Sequence, residues 1–515
     1  MPSLAKLSLL SFAYVQTQGL PLTLNQFCYP KGTCNPDDLA NGINGISFLG
    51  GDRYGSSGYT LSSAGNIDGD PYEDLLVGAP NTAADTGKNY IIYGQKQLGA
   101  GGSGKLNLPD LINGQDGFSL QGSNPSDLCG RYVAPAGDFN NDGFSDFLTS
   151  CFGADSSAGT TYLTLGSANR SAWNAVHNIS LVNEQHQLLL RGPGPNAYSS
   201  WMVQGIGDID GDFIPDVAIT ALPLAGIYNQ SVYVFFGDPN ISFVTSQFNA
   251  SYVENGRGFV IQAPKNDYVG MTLTSGNVNG DQYSDLIIGG GGALLKGYVL
   301  FGANRSFWTS GSPWNINNLT NGRTGFVLLG EGPGDTNSMS LTTVHNLTGT
   351  GLSTILIGSM NAGTMGGKIY GVHGSTNANT WGNGTLGLVN ATNEGKGFIL
   401  QNAAPGEGCG QDVVAAGDIN SDGLGDFFVQ PTFMSTKPYK TYVLFGSNIW
   451  NQTSLYIGNL SDGQTGFALE GSTPSFIKTG VVDFNGDKVP DMLLGARAID
   501  SFKGQSYVLY GAKSS

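Results

Sequence analysis

Charge is scarce in this chain: only 12% of its 515 residues are Asp, Glu, Lys or Arg. Basic residues number 23 against 39 acids, for a formal net charge of −16. That shortage excludes a nucleic-acid interface, which needs a positive face against phosphate. No run approaches the roughly 18–20 apolar residues of a membrane helix. The four histidines, His177, His186, His345 and His373, stand in no metal-ligand spacing. There is no Gly-x-Ser-x-Gly elbow and no phosphate-binding glycine loop. The non-repeated polar residues Arg131, Arg191, Glu331 and Lys265 are scattered and read as solvated surface. No catalytic residue is nominated, and the chain is expected not to be an enzyme.

Glycine is abundant at 79 residues, and a nine-residue acidic frame returns seven times. Its fullest copy is Asp208-Ile-Asp210-Gly-Asp212-Phe-Ile-Pro-Asp216, followed at once by the apolar run Val217 to Leu222. Carboxylates at positions one, three, five and nine of a tight loop can point at one centre. Oxygen ligands without His or Cys favour a hard cation, calcium before magnesium. A strand-like run follows and no Glu stands at position twelve, which separates the loop from an EF-hand and places it in a β-hairpin. A solvated acidic turn would explain one copy. Seven copies, with first positions 72, 70, 69, 69, 72 and 65 residues apart, mark a repeat architecture.

The other candidate ligand sets are Asn66, Asp68, Asp70 and Asp74; Asp138, Asn140, Asp142 and Asp146; Asn277, Asn279, Asp281 and Asp285; Asp418, Asn420, Asp422 and Asp426; and Asp483, Asn485, Asp487 and Asp491. The Asn66 and Asn277 sets carry fewer charges and are expected to bind more weakly. The fifth copy, Asn346-Leu-Thr348-Gly-Thr350-Gly-Leu-Ser-Thr354, has no carboxylate. It is expected to hold itself by hydroxyl and amide hydrogen bonds. Position six is glycine only at Gly143, Gly351 and Gly423; Pro71, Phe213, Gln282 and Lys488 depart from it. Eighteen of the 39 acids are aspartates of these loops, so the acidity is local and metal-directed.

Around each loop the sequence repeats two markers. One is a Gly-Phe strand, at Gly117-Phe118, Gly258-Phe259, Gly325-Phe326, Gly397-Phe398 and Gly466-Phe467, with Ile46-Ser-Phe48 and Gln187-Leu188 as departures. The other is an aromatic and β-branched run closed by glycine, as in Tyr90–Gly94, Tyr162–Gly166, Tyr233–Gly237, Tyr298–Gly302, Tyr442–Gly446 and Tyr507–Gly511. Several short strands per unit without helical periodicity predict an all-β, seven-bladed β-propeller with metal-binding hairpin loops. The last unit stops after Tyr507–Gly511, and Asp38-Leu-Ala-Asn-Gly42 supplies the strand it lacks. An N-terminal strand is thus expected to close the ring and remove its open edge. Residues 1–36 are set apart as an extension, either a weak secretory signal or an assembly strand, and residues 37–515 as the propeller.

The Gly-Phe strand, the Asp-x-Asp/Asn-x-Asp-Gly-x-x-Asp loop and the Val77-Gly-Ala-Pro80 ending together resemble the FG-GAP repeats of integrin alpha-subunit propellers, over roughly residues 37–511. The resemblance implies calcium, at up to six loops, on the lower rim of the ring. It does not extend to an inserted domain, legs, a membrane span or a tail.

Five cysteines leave one odd. Cys28 and Cys34 bracket a turn-like insert and are candidates for a small disulfide loop. Cys129 and Cys151 flank the second metal loop and are expected to bridge, with two buried thiols as the alternative. Cys409 occupies the position of Cys129 in the sixth unit without a partner there, which leaves it unbridged or paired with another chain. Twelve sequons, at Asn169, Asn178, Asn229, Asn240, Asn249, Asn304, Asn318, Asn346, Asn383, Asn390, Asn451 and Asn459, point to an extracellular or cell-surface glycoprotein. The expected function is binding, adhesion or structural self-assembly. The partner would be an extracellular protein or copies of the chain itself, with residues 1–36 inserting into a neighbour. The alternatives are a glycan-binding propeller lectin, favoured if Trp173, Trp201, Trp308, Trp314, Trp381 and Trp450 shared a register, or a polysaccharide-active enzyme.

Overall fold

The computed structural model describes residues 33–511 apart from 97, 99–101, 171–172, 174–175, 182–185, 223–228, 242–246, 249–252, 264–266, 292–295, 333–338, 360–361, 363–365, 403–408, 432–438 and 472–475. Nearly all regular structure is β, in seven five-stranded sheets, with short helical turns between them. In the third sheet the strands Ser199–Gly207, Asp216–Ala221, Gln230–Phe235 and Gly258–Ala263 pair antiparallel in succession. Trp314–Asn315 then adds in parallel at the outer edge. The other sheets repeat this order, and we number the blades by their inner strands. These are Thr60–Gly65, Cys129–Gly137, Ser199–Gly207, Thr272–Gly276, Met339–His345, Asp412–Gly417 and Phe476–Val482. Each inner strand touches the next, and the seventh touches the first, so the sheets form a closed ring.

The start of the chain serves two blades. Gly45–Leu49 is the fourth strand of blade 7, with Gly45 opposite Leu509 and Leu49 opposite Gln505. Thr33–Cys34 runs parallel to Ala468 and Leu469 as the outer strand of blade 6. The ring therefore begins before Asp37. The strand expected at Asp38–Gly42 is instead a short helix, Pro36–Leu39, and a turn. Pro at the first helical position and the Asn35 side chain accepting from the Asp37 N–H explain the local choice. Leu108–Leu111, Ile316–Leu319 and Leu388–Asn393 repeat this turn where the sequence reads as a strand end.

The core lies between blades. Phe118, Phe259 and Phe326 of the Gly-Phe strands stack on Trp173, Trp308 and Trp381, with ring centroids 4.8, 4.2 and 4.3 Å apart. Trp450 meets Phe398 at 4.9 Å. Four of the six tryptophans thus share a register, buried between blades, and Trp201 and Trp314 stand outside it, so the six are not all in register. Such pairs add about 0.5–1.5 kcal/mol each beyond the area they bury. Cys129 and Cys151 form a disulfide across the first two strands of blade 2, their Cα atoms 4.0 Å apart. Cys34 is disulfide-bonded; Cys28 lies outside the described residues. Cys409 is fully buried and forms no disulfide among the described residues.

Candidate metal loops on one rim

Each acidic frame joins an inner strand to the second strand of its blade, so all seven loops lie on one rim. Position nine opens the second strand, and there Asp74, Asp146, Asp216, Asp285, Asp426 and Asp491 are wholly buried. Each accepts two backbone N–H bonds of 2.7–3.0 Å. One donor is position two of its own loop, Ile209 for Asp216. The other is the glycine that closes the aromatic marker, Gly237 for Asp216. The two sequence markers are thus halves of one lock. The marker must be glycine because a Cβ at Gly237 would stand 2.6 Å from the Pro215 carbonyl oxygen. In the carboxylate-free fifth loop, Thr354 Oγ1 meets His373 Nδ1 at 3.1 Å in place of the lock, and Asn346 Oδ1 accepts from Gly351 N at 2.7 Å.

Neighbouring loops are tied together. Ser145, Ser284 and Ser353 at position eight donate to the carbonyl of position one in the preceding blade, at 2.9, 2.8 and 2.9 Å. Glu73 does the same to Asp483 at 3.1 Å, across the meeting of the chain's two ends.

The six acidic loops fall into two classes. Where Asp stands first, its second oxygen accepts from position six: Gly143, Phe213, Gly423 and Lys488 donate to Asp138, Asp208, Asp418 and Asp483 at 2.8–3.0 Å. Phe213 and Lys488 take the left-handed φ, 69° and 68°, that the glycines take. Their departure from glycine therefore leaves the loop geometry intact. Where Asn stands first, Asn66 and Asn277 accept from position four and donate to the carbonyl of position five, which closes the loop on itself. Pro71, at position six of the first loop, has no N–H to give.

Two arginines that the sequence reading passes over enter these loops. Arg170 of blade 2 reaches back to Asp68 and Asp70 of blade 1, with Nε–Oδ2 and Nη2–Oδ2 distances of 2.6 and 2.7 Å. Arg305 of blade 4 reaches Asp210 and Asp212 of blade 3 in the same way. Each stacks on the aromatic residue before the marker glycine, Tyr93 at 4.4 Å and Phe236 at 4.7 Å. Their shared signal in sequence is Asn-Arg-Ser shortly after the marker glycine of the arginine's own blade, Gly166 and Gly302.

The third loop gathers carboxylates most closely: single oxygens of Asp208, Asp210 and Asp216 lie within 4.8 Å of one another. Arg305 holds Oδ2 of Asp210, whereas Oδ1 is buried with no hydrogen-bond partner. Oδ1 of Asp483 is likewise buried and unpartnered. Burial pushes the position-nine carboxyls up, Asp285 to about 7 and Asp426 to about 8. Asp74, Asp146, Asp216 and Asp491 are driven well above the usual range for the same reason. Two N–H donors do not offset such dehydration, and a nearby cation would.

Ten of the twelve sequon asparagines are exposed. Asn249 lies outside the described residues, and the half-buried Asn346 donates its amide to Gly423 O at 2.8 Å. No helix of the described residues is long and apolar enough to cross a membrane.

No family model matches the chain. One curated relative, integrin alpha-PS2 of Drosophila melanogaster, is 26% identical over 191 residues, covering 35% of this chain and 12% of that protein. The match therefore spans a small part of the relative's length. Among solved structures, AofleA from Arthrobotrys oligospora covers 81% of this chain and 92% of its own at 9% identity. Its TM-score of 0.36 is too low to support any inference. With the seven-sheet ring, the integrin match makes the chain an integrin-alpha-like β-propeller.

Proposed function

We propose that the chain is an extracellular binding or adhesion propeller, without catalysis, whose rim loops hold structural calcium. The observation that carries this reading is the unpartnered, buried Oδ1 of Asp210 amid the converging oxygens of Asp208 and Asp216. Asp208, Asp210, Asp212 and Asp216 would hold the ion in the third loop, and Asp483, Asn485, Asp487 and Asp491 in the seventh. The sets at Asp138 and Asp418 share their Asp-first geometry. The self-closed Asn66 and Asn277 loops are the weaker sites. Calcium supplies positive charge that the dehydrated carboxylates lack, and the hairpins supply fixed oxygen ligands. The Cys129–Cys151 disulfide and the exposed sequons support an oxidising, extracellular setting. The partner is held on the ring's surface.

The experiment is calcium titration of ion-depleted full-length protein, read by melting temperature and by equilibrium dialysis. Calcium should bind at several sites and raise the melting temperature more than equal magnesium. Asp216→Asn should remove one site. Absence of bound calcium together with an unshifted melting curve would sink the reading.

A further inference from the structure

The rim opposite the loops, where the inner strands begin, gathers arginines with aromatic rings. The Arg131 guanidinium lies 5.5 Å from the Tyr59 ring, 5.1 Å from Phe152 and 5.5 Å from Trp201. Arg497, just past the second strand of blade 7, lies 5.0 Å from the same Tyr59 ring. Further out, Arg53 lies 5.1 Å from Tyr54, which stacks on Phe502. Blades 7, 1, 2 and 3 all contribute. Arg131 is thus half-buried among rings and is no scattered surface charge.

Among the described residues, none of these three arginines has a carboxylate within 4 Å, and Arg131 Nε is buried without an acceptor. Of the acids in this sector, Asp52 pairs with Lys88, Asp155 with Arg191 and Asp500 with Lys503, while Asp85 accepts from the Asn81 amide and Asp127 from the Ser123 and Asn124 N–H groups. The chain carries a net charge of −16, yet its aspartates crowd the other rim. A loop aspartate there is screened from this face at physiological salt, where the Debye length is about 8 Å.

The backbone singles out the same sector. Three turns hold successive non-glycine residues in the left-handed region: Ala83–Asp85 (φ 49°, 59°, 62°), Asp155–Ser157 (54°, 59°, 61°) and Asp500–Phe502 (48°, 57°, 61°). They belong to blades 1, 2 and 7. Each accepts a backbone bond from the next blade, from Leu128 N, Tyr198 N and Ser56 N at 2.9, 2.9 and 2.8 Å. Non-glycine residues adopt this conformation at a cost, and such strain gathers at ligand-binding segments.

We propose that this face binds an anionic polysaccharide. Guanidinium groups match carboxylate and sulfate oxygens in paired hydrogen bonds. Half-exposed Tyr59 and Trp201 hold these guanidiniums by cation–π contact and add apolar ring surface at the same place for a sugar to pack against. Arginines spread over adjacent blades suit a polymer whose acids recur at intervals. The inference rests on the reading of the ring as a binding scaffold and names its ligand class.

The test is affinity electrophoresis of the full chain, at one fixed calcium concentration, through gels holding polygalacturonate, chondroitin sulfate, neutral dextran or polyglutamate. Polygalacturonate or chondroitin sulfate should retard the protein, and which of the two does so separates uronate from sulfate recognition. Dextran and polyglutamate should not retard it, and added salt should weaken the effect. Arg131→Gln combined with Arg497→Gln should weaken binding at least tenfold with the calcium-induced melting shift unchanged. If that pair does not fold, Arg53→Gln with Arg497→Gln should still weaken it severalfold. Equal retardation by dextran or polyglutamate, no retardation by either acidic glycan, or variants that bind like the parent would overturn the proposal. A normal calcium shift beside failed glycan binding would remove this inference alone and leave the calcium-stabilised scaffold standing.

Discussion

Arg170 and Arg305 show what single side chains decide here. Each inserts a guanidinium between the acids of a neighbouring blade's loop, so one cation already sits where a second could bind. In the first loop the arginine holds outer oxygens of both Asp68 and Asp70, and Asn66 closes the loop from inside. Replacing Arg170 with Ala frees both carboxylates. Calcium affinity at that loop should rise by about two- to fivefold, the scale of a partly exposed ion pair. Equilibrium dialysis would show it as more calcium bound at low free calcium; unchanged occupancy would mean that the arginine and the ion do not compete. The aspartates themselves stand out in the sequence because their spacing repeats. The arginines do not, because each acts about 100 residues away on a neighbouring blade.

At the scale of the element, the hairpin is a lock made of a buried aspartate, the N–H of loop position two and the N–H of the marker glycine. This explains why the acidic frame and the aromatic-glycine run recur in step. It also fixes a pH dependence. A carboxyl whose pKa is raised in the fold adds stability that is fully present below its unfolded value near 3.8. That stability is lost as pH climbs through the folded value, about 7 for Asp285 and about 8 for Asp426. His373, lowered by burial, runs the other way below its ordinary 6.5, but it is one group against six. Ion-depleted protein should therefore melt at a lower temperature at pH 8.5 than at pH 5.5, and calcium should raise the melting temperature most at pH 8.5. A flat profile without ions would contradict the dehydration of these carboxyls, which outweighs the two N–H bonds each accepts. Strand markers, loops and the Cys129–Cys151 bridge could all be read from spacing. The Leu-x-Asn-Gly segments could not: a proline or an asparagine cap turns them into single helical turns, and four residues are too few for either periodicity to speak.

At the scale of the molecule, residues 33–49 bracket two blades, as the outer strand of blade 6 and the fourth strand of blade 7. Deleting residues 1–50 would expose the unpaired edge of Gln505–Leu509, a template for aggregation. The truncated chain should elute as aggregate or lose its cooperative melt, and a peptide spanning residues 33–50 should restore it. A monomer melting like the parent would show that the ring does not depend on this strand. Seven returns of one frame, with strand-length runs between glycines, determined by themselves the blade number and the rim that carries the acids, because repeat length and alternation are local properties of a chain. Which blade borrows an arginine, which tryptophans are core and which arginines lack carboxylate partners follows from contacts between blades. Those depend on what a neighbouring blade places alongside, and sequence distance does not encode that.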